Sequence, residues 1–274
     1  MTSANACAEV ITRLSVSIVV YRPDMSRLER TLADIAEAFV AVARARPGAE
    51  LDVCVVDNGG LPASFNAAAR GCRVLSGHGN VGYGRGHNRA LGSASDYHLI
   101  LNPDIEFETD ALVEALAFFG AHPEVGLISP YIVSEAGEMQ YLCRRFPTVL
   151  DLFVRGFLPA RLRRRFTSRL ARYEMRDLIN PRDVVFDPPI ISGCFMLFRT
   201  QLLAALGGFD ARYFLYFEDY DLSLRAGRAM RIAYVPTVRV THFGGGASRK
   251  GAVHTLMFVA SAFKFFNRFG WKWL

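Results

Sequence analysis

Three features of the first half of the chain predict an α/β fold with a mostly parallel, Rossmann-like sheet flanked by helices. Short β-branched runs alternate with a helical apolar period. The runs are apolar almost throughout instead of at every second residue. Each ends abruptly in a turn signal rich in Asp, Asn, Gly or Pro. Strands of that kind are buried on both faces, as in a parallel sheet covered by helices.

Residues 14–21 (LSVSIVVY) form the first strand, closed by Pro23-Asp24. Residues 25–46 place Leu28, Leu32, Ile35, Phe39 and Val42 on one helical face, and Pro47-Gly48 stops the helix. Residues 51–56 (LDVCVV) are a second strand ending at Asp57-Asn58-Gly59-Gly60, which completes a βαβ unit. The alternation continues with a strand at 73–76, a helix at 84–95 and a strand at 97–101 that runs into Asn102-Pro103-Asp104. A helix at 110–120 with Thr109 as N-cap and a strand at 125–129 follow. Beyond Pro130 the pattern weakens to a strand at 190–198, helices at 200–206 and 218–229, a strand at 231–235 and a terminal amphipathic helix at 252–269.

Composition narrows the function. With 51% apolar and 21% charged residues the chain is globular, which excludes a disordered class. A net charge of +6 favours an anionic partner: phosphates, a membrane surface or nucleic acid. Nucleic acid is set aside because the cations do not interleave with a stacking aromatic surface. The five cysteines (Cys7, Cys54, Cys72, Cys143 and Cys194) lack metal or redox spacing, and a reducing cytosol suits them. No signal-peptide pattern opens the chain, and no apolar run approaches the ~20 residues of a spanning helix. The expectation is a cytoplasmic protein whose membrane contact, if any, is peripheral.

Gly77-His78-Gly79-Asn80-Val81-Gly82 spells G-x-G-x-x-G, with Asp96 beyond it. The dinucleotide fingerprint belongs to the first βα turn, and here two such turns precede it. Glycines continue at Gly84 and Gly86, which suits a loop laid against a ligand. Asp57 and Asp104 both stand past the carboxyl ends of parallel strands, where open α/β sheets bind ligands. Each has two uses. Asp57 is a turn aspartate or a partner for a base or ribose; Asp104 is a turn residue or a ligand to a divalent cation gripping a diphosphate.

Phe217-Glu218-Asp219-Tyr220-Asp221 follows the aromatic run from Tyr213 to Tyr216. Acids there complement a helix dipole or, desolvated by the aromatics, gain the raised pKa of a general base. Glu218 and Asp219 point about 100° apart in a helix, so one of them faces a substrate, and spacing does not choose. His242 precedes Gly244-Gly245-Gly246, Ser248, Arg249 and Lys250. It is an ordinary strand-end polar residue or a metal ligand beside a phosphate-binding loop.

In their order and spacing these blocks resemble the family-2 inverting glycosyltransferases of the GT-A fold. They look especially like the rhamnosyltransferase-type branch that builds bacterial surface polysaccharides. The stretches that carry the resemblance are 17–21, 55–59, 80–88, 101–104, 192–193, 207–210, 217–222 and 242–248. It implies one domain over residues 1–250, with a nucleotide-sugar half at 14–130 and an acceptor and catalytic half at 131–250, followed by the helix at 251–274. It further implies a nucleotide-sugar donor, a glycan or polyprenyl-linked glycan acceptor, and magnesium or manganese.

By position, the resemblance implies that Asp57 binds the base, Asn80 and Asn88 shape the nucleotide pocket, and Asn102 meets the ribose. Asp104 falls on the last position of the Asp-x-Asp metal motif, and His242 on the late metal ligand. Asn102 replaces the first acid of that motif, so the metal loses one charged ligand. Ser248 and Arg249 fall at the diphosphate. Asp219 is the base, with Glu218 its alternative, and Gly193 and Asp221 lie by the donor or acceptor sugar. The donor of first choice is dTDP-rhamnose; a UDP-hexose or galactofuranose transferase and a non-catalytic sugar-nucleotide-binding module are the alternatives.

Two basic and apolar stretches remain. Residues 253–274 join Leu256, Val259, Phe263, Trp271 and Trp273 to Lys264, Arg268 and Lys272, as an interfacial membrane helix or as a cover for the fold. Residues 161–172 carry a second basic run, lipid-facing or simply solvated.

Overall fold

The structure is a computed structural model that describes residues 12–92, 94–244 and 251–274. Its strands are β1 (Arg13–Val20), β2 (Glu50–Asp57), β3 (Arg73–Leu75), β4 (Tyr97–Leu101), β5 (Ile105–Phe107), β6 (Val125–Val133), β7 (Cys143–Arg144), β8 (Val185–Phe186), β9 (Ile190–Ile191), β10 (Phe195–Arg199) and β11 (Arg231–His242). Its helices are α1 (Met25–Ala45), α2 (Tyr83–Ala90), α3 (Ala111–Ala121), α4 (Val149–Phe157), α5 (Ala160–Arg163), α6 (Thr167–Tyr173), α7 (Thr200–Ala205), α8 (Glu218–Ala229) and α9 (Gly251–Phe269).

The main sheet runs β3-β2-β1-β4-β10-β6-β11-β5, with β8 also on β11. The pairs from β3 to β4 and β6 with β11 are parallel, while β10 lies antiparallel between β4 and β6. Burial follows the period of two: Leu99 and Leu101 point into the core under α1 and α3, and Ile100 into the core under α7 and α8. Aspartate caps α1, Asp24 accepting from the backbone N–H groups of Ser26 (3.0 Å) and Arg27 (3.3 Å). Ser15 and Ser17, polar breaks in the first strand, are satisfied inside the core by His98, 2.7 and 2.9 Å away, and Ser17 also meets His87 Nδ1 at 2.7 Å. Burial holds His98 down at about 4, so that chain is neutral.

Several elements differ from the sequence expectation. The helix expected at 84–95 ends at Ala90, because Leu91 is extended and Gly92 takes a φ of 114°. Thr109 does not cap α3; Asp110 occupies the cap position without a side-chain bond. The strand expected at 190–198 is two strands, since Gly193 turns its backbone groups to side chains and leaves β9 paired with β7 in a separate sheet. The strand expected to end at Val235 runs on to His242 through a register shift that accommodates Pro236.

The C-terminal helix covers the fold. Phe265 and Phe266 are buried with Phe217, Tyr213, Leu152 and Tyr173, and Phe258 packs against them. Asp221, expected beside a sugar, is instead wholly buried in an ion-paired joint. Arg225 Nε donates to its Oδ1 at 2.6 Å and Arg268 Nη1 to its Oδ2 at 2.6 Å. Arg225 also donates to the carbonyls of Leu206 and Gly208, so the joint ties α8, α9 and the 206–208 turn together. Removing one partner of a buried pair strands the other charge. Asp221→Ala is therefore expected to cost roughly 3 kcal/mol in urea unfolding, and an unchanged midpoint would contradict that role.

Candidate active site

The pairing of Phe195 with Leu101 brings the break at Gly193 against the carboxyl end of β4. Asn102 N–H donates to Cys194 O at 2.9 Å. The hydroxyl of Tyr83, at the start of α2, lies 2.6 Å from Gly193 O and 3.1 Å from Asn102 Oδ1. Gly193 N–H in turn donates to Asp219 Oδ2 at 3.0 Å. One relay of contacts therefore joins Asp219 on α8 to Asn102 on β4, and burial raises the Tyr83 phenol so that it stays a donor.

Asp104 and His242 meet at the other end of this relay. Asp104 Oδ1 lies 3.4 Å from His242 Nε2, and Asn102 Nδ2 lies 3.5 Å from the same nitrogen. Phe243 N–H donates to Asp104 O at 3.0 Å, holding the two strand ends together. His242 Nδ1 lies 3.0 Å from Gln140 Oε1, while Gln140 Nε2 donates to His242 O at 3.0 Å. An amide oxygen only accepts, so the imidazole proton is assigned to Nδ1, and Nε2 offers a lone pair toward Asp104.

These residues fit a divalent cation. Asp104 Oδ1 is buried without a hydrogen-bond partner. The space beside it exists because residue 244 has no Cβ: one placed there would stand 2.5 Å from Asp104 Oδ2 and from His242 Nε2. A carboxylate oxygen and a neutral imidazole nitrogen suit magnesium or manganese, with phosphate and water completing the set. Among the described residues no cluster of three His, Cys, Asp or Glu side chains supplies a fuller cage. A cavity of about 250 Å³ opens beside Asp104, lined also by Asp24, Arg27, Pro103 and Phe243.

The two adjacent acids of α8 have different surroundings. Glu218 is buried, with Oε2 unpartnered, and burial together with the charge of Asp219 pushes its carboxyl well above the usual range. Asp219 is partly exposed and accepts from the backbone N–H groups of Gly193 and Tyr220. Burial also raises its pKa, opposed by those two bonds. Tyr216 and Phe217, just before them, hold left-handed φ angles of 70° and 65°, a strained pair that aims the first turn of α8.

The other expected site residues are placed as follows. Asp57 Oδ1 accepts from Gly59 and Leu61 N–H at 2.8 and 3.3 Å, a turn at the mouth of β2. Asn80 is exposed and accepts from Gly82 N–H at 3.0 Å. Asn88 is a fastening: its Nδ2 donates to Phe209 O at 2.7 Å and its Oδ1 accepts from Phe209 N–H at 2.9 Å, which ties α2 to the loop before α8. Ser248 and Arg249 lie outside the described residues. The sequence does not single out Tyr83, Gln140 or Asn58 as site residues. Asn58 donates to Gly82 O at 3.0 Å, and its only sequence signal was its place in a turn.

Solved structures share this architecture. The fold matches GalNAc-T7 crystallised with UDP, GalNAc and Mn2+ at a TM-score of 0.60 and 14% identity, over 86% of this chain and 44% of that one. It matches the mannosyltransferase PcManGT from Pyrobaculum calidifontis, in complex with GDP-Man and Mn2+, at 0.55 and 19% identity, over 93% of this chain and 65% of that one. The fold is thus the GT-A glycosyltransferase fold. Residues 3–257 match the family described as Glycosyltransferase like family 2, and the chain belongs to that family. It is 29% identical over 253 residues to the N-acetylglucosaminyl-diphospho-decaprenol L-rhamnosyltransferase of Mycobacterium tuberculosis, covering 84% of this chain and 75% of that protein. It is 28% identical over 176 residues to the rhamnosyltransferase WbbL of Escherichia coli K12, covering 59% and 61%.

Gln140→Ala frees the His242 ring. The variant is expected to bind Mn2+ roughly 10–100-fold more weakly, read from the paramagnetic resonance of the free ion. An unchanged affinity would remove Gln140 from the site.

Proposed function

We propose that this glycosyltransferase moves L-rhamnose from dTDP-rhamnose, with inversion, to a hydroxyl of a glycan or polyprenyl-linked glycan acceptor in bacterial surface polysaccharide assembly. The observation that carries the transfer chemistry is the Tyr83–Gly193 relay between Asp219 and the Asn102–Asp104–His242 end of the sheet. The choice of rhamnose and of a lipid-linked acceptor rests on the likeness to two rhamnosyltransferases, one acting on a decaprenyl diphosphate substrate by its name.

Asp219 is the base in this reading, because it is the member of the acidic pair that is partly exposed and held by Gly193. Its carboxylate takes the proton of the acceptor hydroxyl, whose oxygen attacks the anomeric carbon from the face opposite the diphosphate. The bond to the diphosphate breaks as the new glycosidic bond forms, so the configuration inverts in one step. Asp104 and His242 Nε2 would hold a magnesium or manganese ion, which when bound would supply charge neutralisation for the leaving group. By the family resemblance, Asp57 and Asn102 are assigned to the nucleoside, and Ser248 and Arg249, outside the described residues, to the diphosphate. Burial, together with the charge of Asp219, raises the Glu218 carboxyl above its usual range, which disfavours a second negative charge beside Asp219.

Asp219→Asn is expected to abolish transfer while leaving donor binding intact, whereas Glu218→Gln keeps most activity. The opposite ranking would exchange their roles. A base must be ionised, and the Asp219 pKa is raised, so kcat falls as pH drops through a value above the ordinary aspartate range. A kcat flat down to pH ~4 would contradict that. Thermal shift with a donor panel tests the sugar: dTDP-rhamnose with Mn2+ should stabilise the chain most, and Asp104→Ala should lose the Mn2+-dependent part. Equal stabilisation by UDP-hexoses would overturn the rhamnose choice.

A further inference from the structure

We infer that α4, α5 and the C-terminal tail together form one docking surface for an anionic lipid bilayer. The two segments are remote in sequence and joined in the fold. Val149 and Leu150 N–H, in the first turn of α4, donate to Lys272 O at 2.8 Å and Trp273 O at 3.2 Å. Aromatic side chains face outward along that seam. Trp273 stacks on Trp271 at 5.3 Å, and Phe263 meets Trp271 edge-on at 5.3 Å. Phe153 and Phe157 stack on each other along α4 at 5.9 Å. Trp273 is 64% exposed, Phe263 57% and Phe153 51%, far more than a large aromatic on a solvated surface needs.

Charge selects the occupant. Residues 152–173 contain seven arginines and no acid, and no acid follows Asp221 anywhere in the chain. Arg155 and Arg169 are paired with Glu174 and Asp151, while Arg161, Arg163, Arg164 and Arg165 are exposed and make no ion pair among the described residues. A second copy of this face would set like charges against each other. Anionic headgroups accept the guanidinium groups, and Trp rings settle at the headgroup level beside them. No helix among the described residues is long and apolar enough to cross a membrane, so the contact is interfacial.

The inner side of α9 reaches the strained loop before the acidic pair. Tyr216 OH lies 2.9 Å from His254 Nδ1, and the Phe217 and Phe258 rings are 5.2 Å apart. The bilayer face is therefore one helix away from Asp219. Lipid binding is measured without donor or acceptor, so its outcome is independent of the transfer reaction.

The test is flotation of the full chain with vesicles of phosphatidylcholine alone and of phosphatidylcholine mixed with phosphatidylglycerol. Recovery with the anionic vesicles should exceed that with neutral ones by about tenfold or more, and fall as salt rises. Arg161→Ser/Arg163→Ser/Arg164→Ser/Arg165→Ser alters exposed side chains and should lose about tenfold or more of that binding. Trp271→Ser/Trp273→Ser, checked for folding by near-ultraviolet dichroism, should lose binding at every salt concentration. Equal flotation with both vesicle types, or wild-type flotation of the arginine variant, would overturn the proposal. So would absence of flotation at low salt with a sedimenting dimer that the tryptophan variant abolishes, which would assign the face to a second copy.

Discussion

The register of one antiparallel strand sets the geometry of the site. With Phe195 opposite Leu101, the residues before the one and after the other share an edge, and Gly193 and Asn102 become neighbours. Tyr83 then spans them with a single hydroxyl, and the Gly193 N–H fixes the Asp219 carboxylate. A slip of one residue would turn every side chain of the strand to the other face and undo all of these contacts. The polar relay is thus a consequence of sheet pairing, and α2 and α8 are placed around it.

Strain at the opposite side of the relay is held by packing. Left-handed Tyr216 and Phe217 each cost about 1–3 kcal/mol. Phe217 is buried against Phe258, Phe265 and Tyr220, whose ring centres lie 5.1–5.2 Å away. The Asp221 joint to Arg225 and Arg268 adds an electrostatic anchor between α8 and α9. The terminal helix therefore supports the acidic pair from behind, while its outer residues Val253, Leu256 and Val259 stay exposed. Of the two uses expected of that helix, the cover for the fold is seen on its inner face, and the membrane use is the one proposed above.

Local patterns made the first half of the fold legible. Apolar runs ended by Asp-Asn-Gly-Gly and Asn-Pro-Asp located the mouths of β2 and β4, and the helical period located α1. The helix α4 also went unseen despite its local capping box of Thr148 and Asp151, whereas the unseen strands depend on distant partners. β5, β7, β8 and β9 are two or three residues long and exist only as pairings. The extension of β11 past Pro236 needs the neighbouring strand to absorb a register shift. At the site, acids and the histidine announced themselves by type and position, whereas Gln140 carries no signal until the segment around Met139 folds back on Val133. Asn88 and Asp221 stand inside family-like blocks, where Asn88 fastens to Phe209 and Asp221 pairs with two arginines. A motif position fixes where a residue stands, and its hydrogen bonds decide what remains available to a ligand.

The central claim is that a strand register brings a base and a donor-diphosphate site to one edge of the sheet. A crystal structure of the chain with Mn2+ and intact dTDP-rhamnose, in the absence of acceptor, tests it most directly. The account predicts Mn2+ on Asp104 and His242 Nε2, with the Asp219 carboxylate on the side of the anomeric carbon opposite the diphosphate. Mn2+ and diphosphate held elsewhere, or Asp219 on the same side as the leaving group, would contradict it.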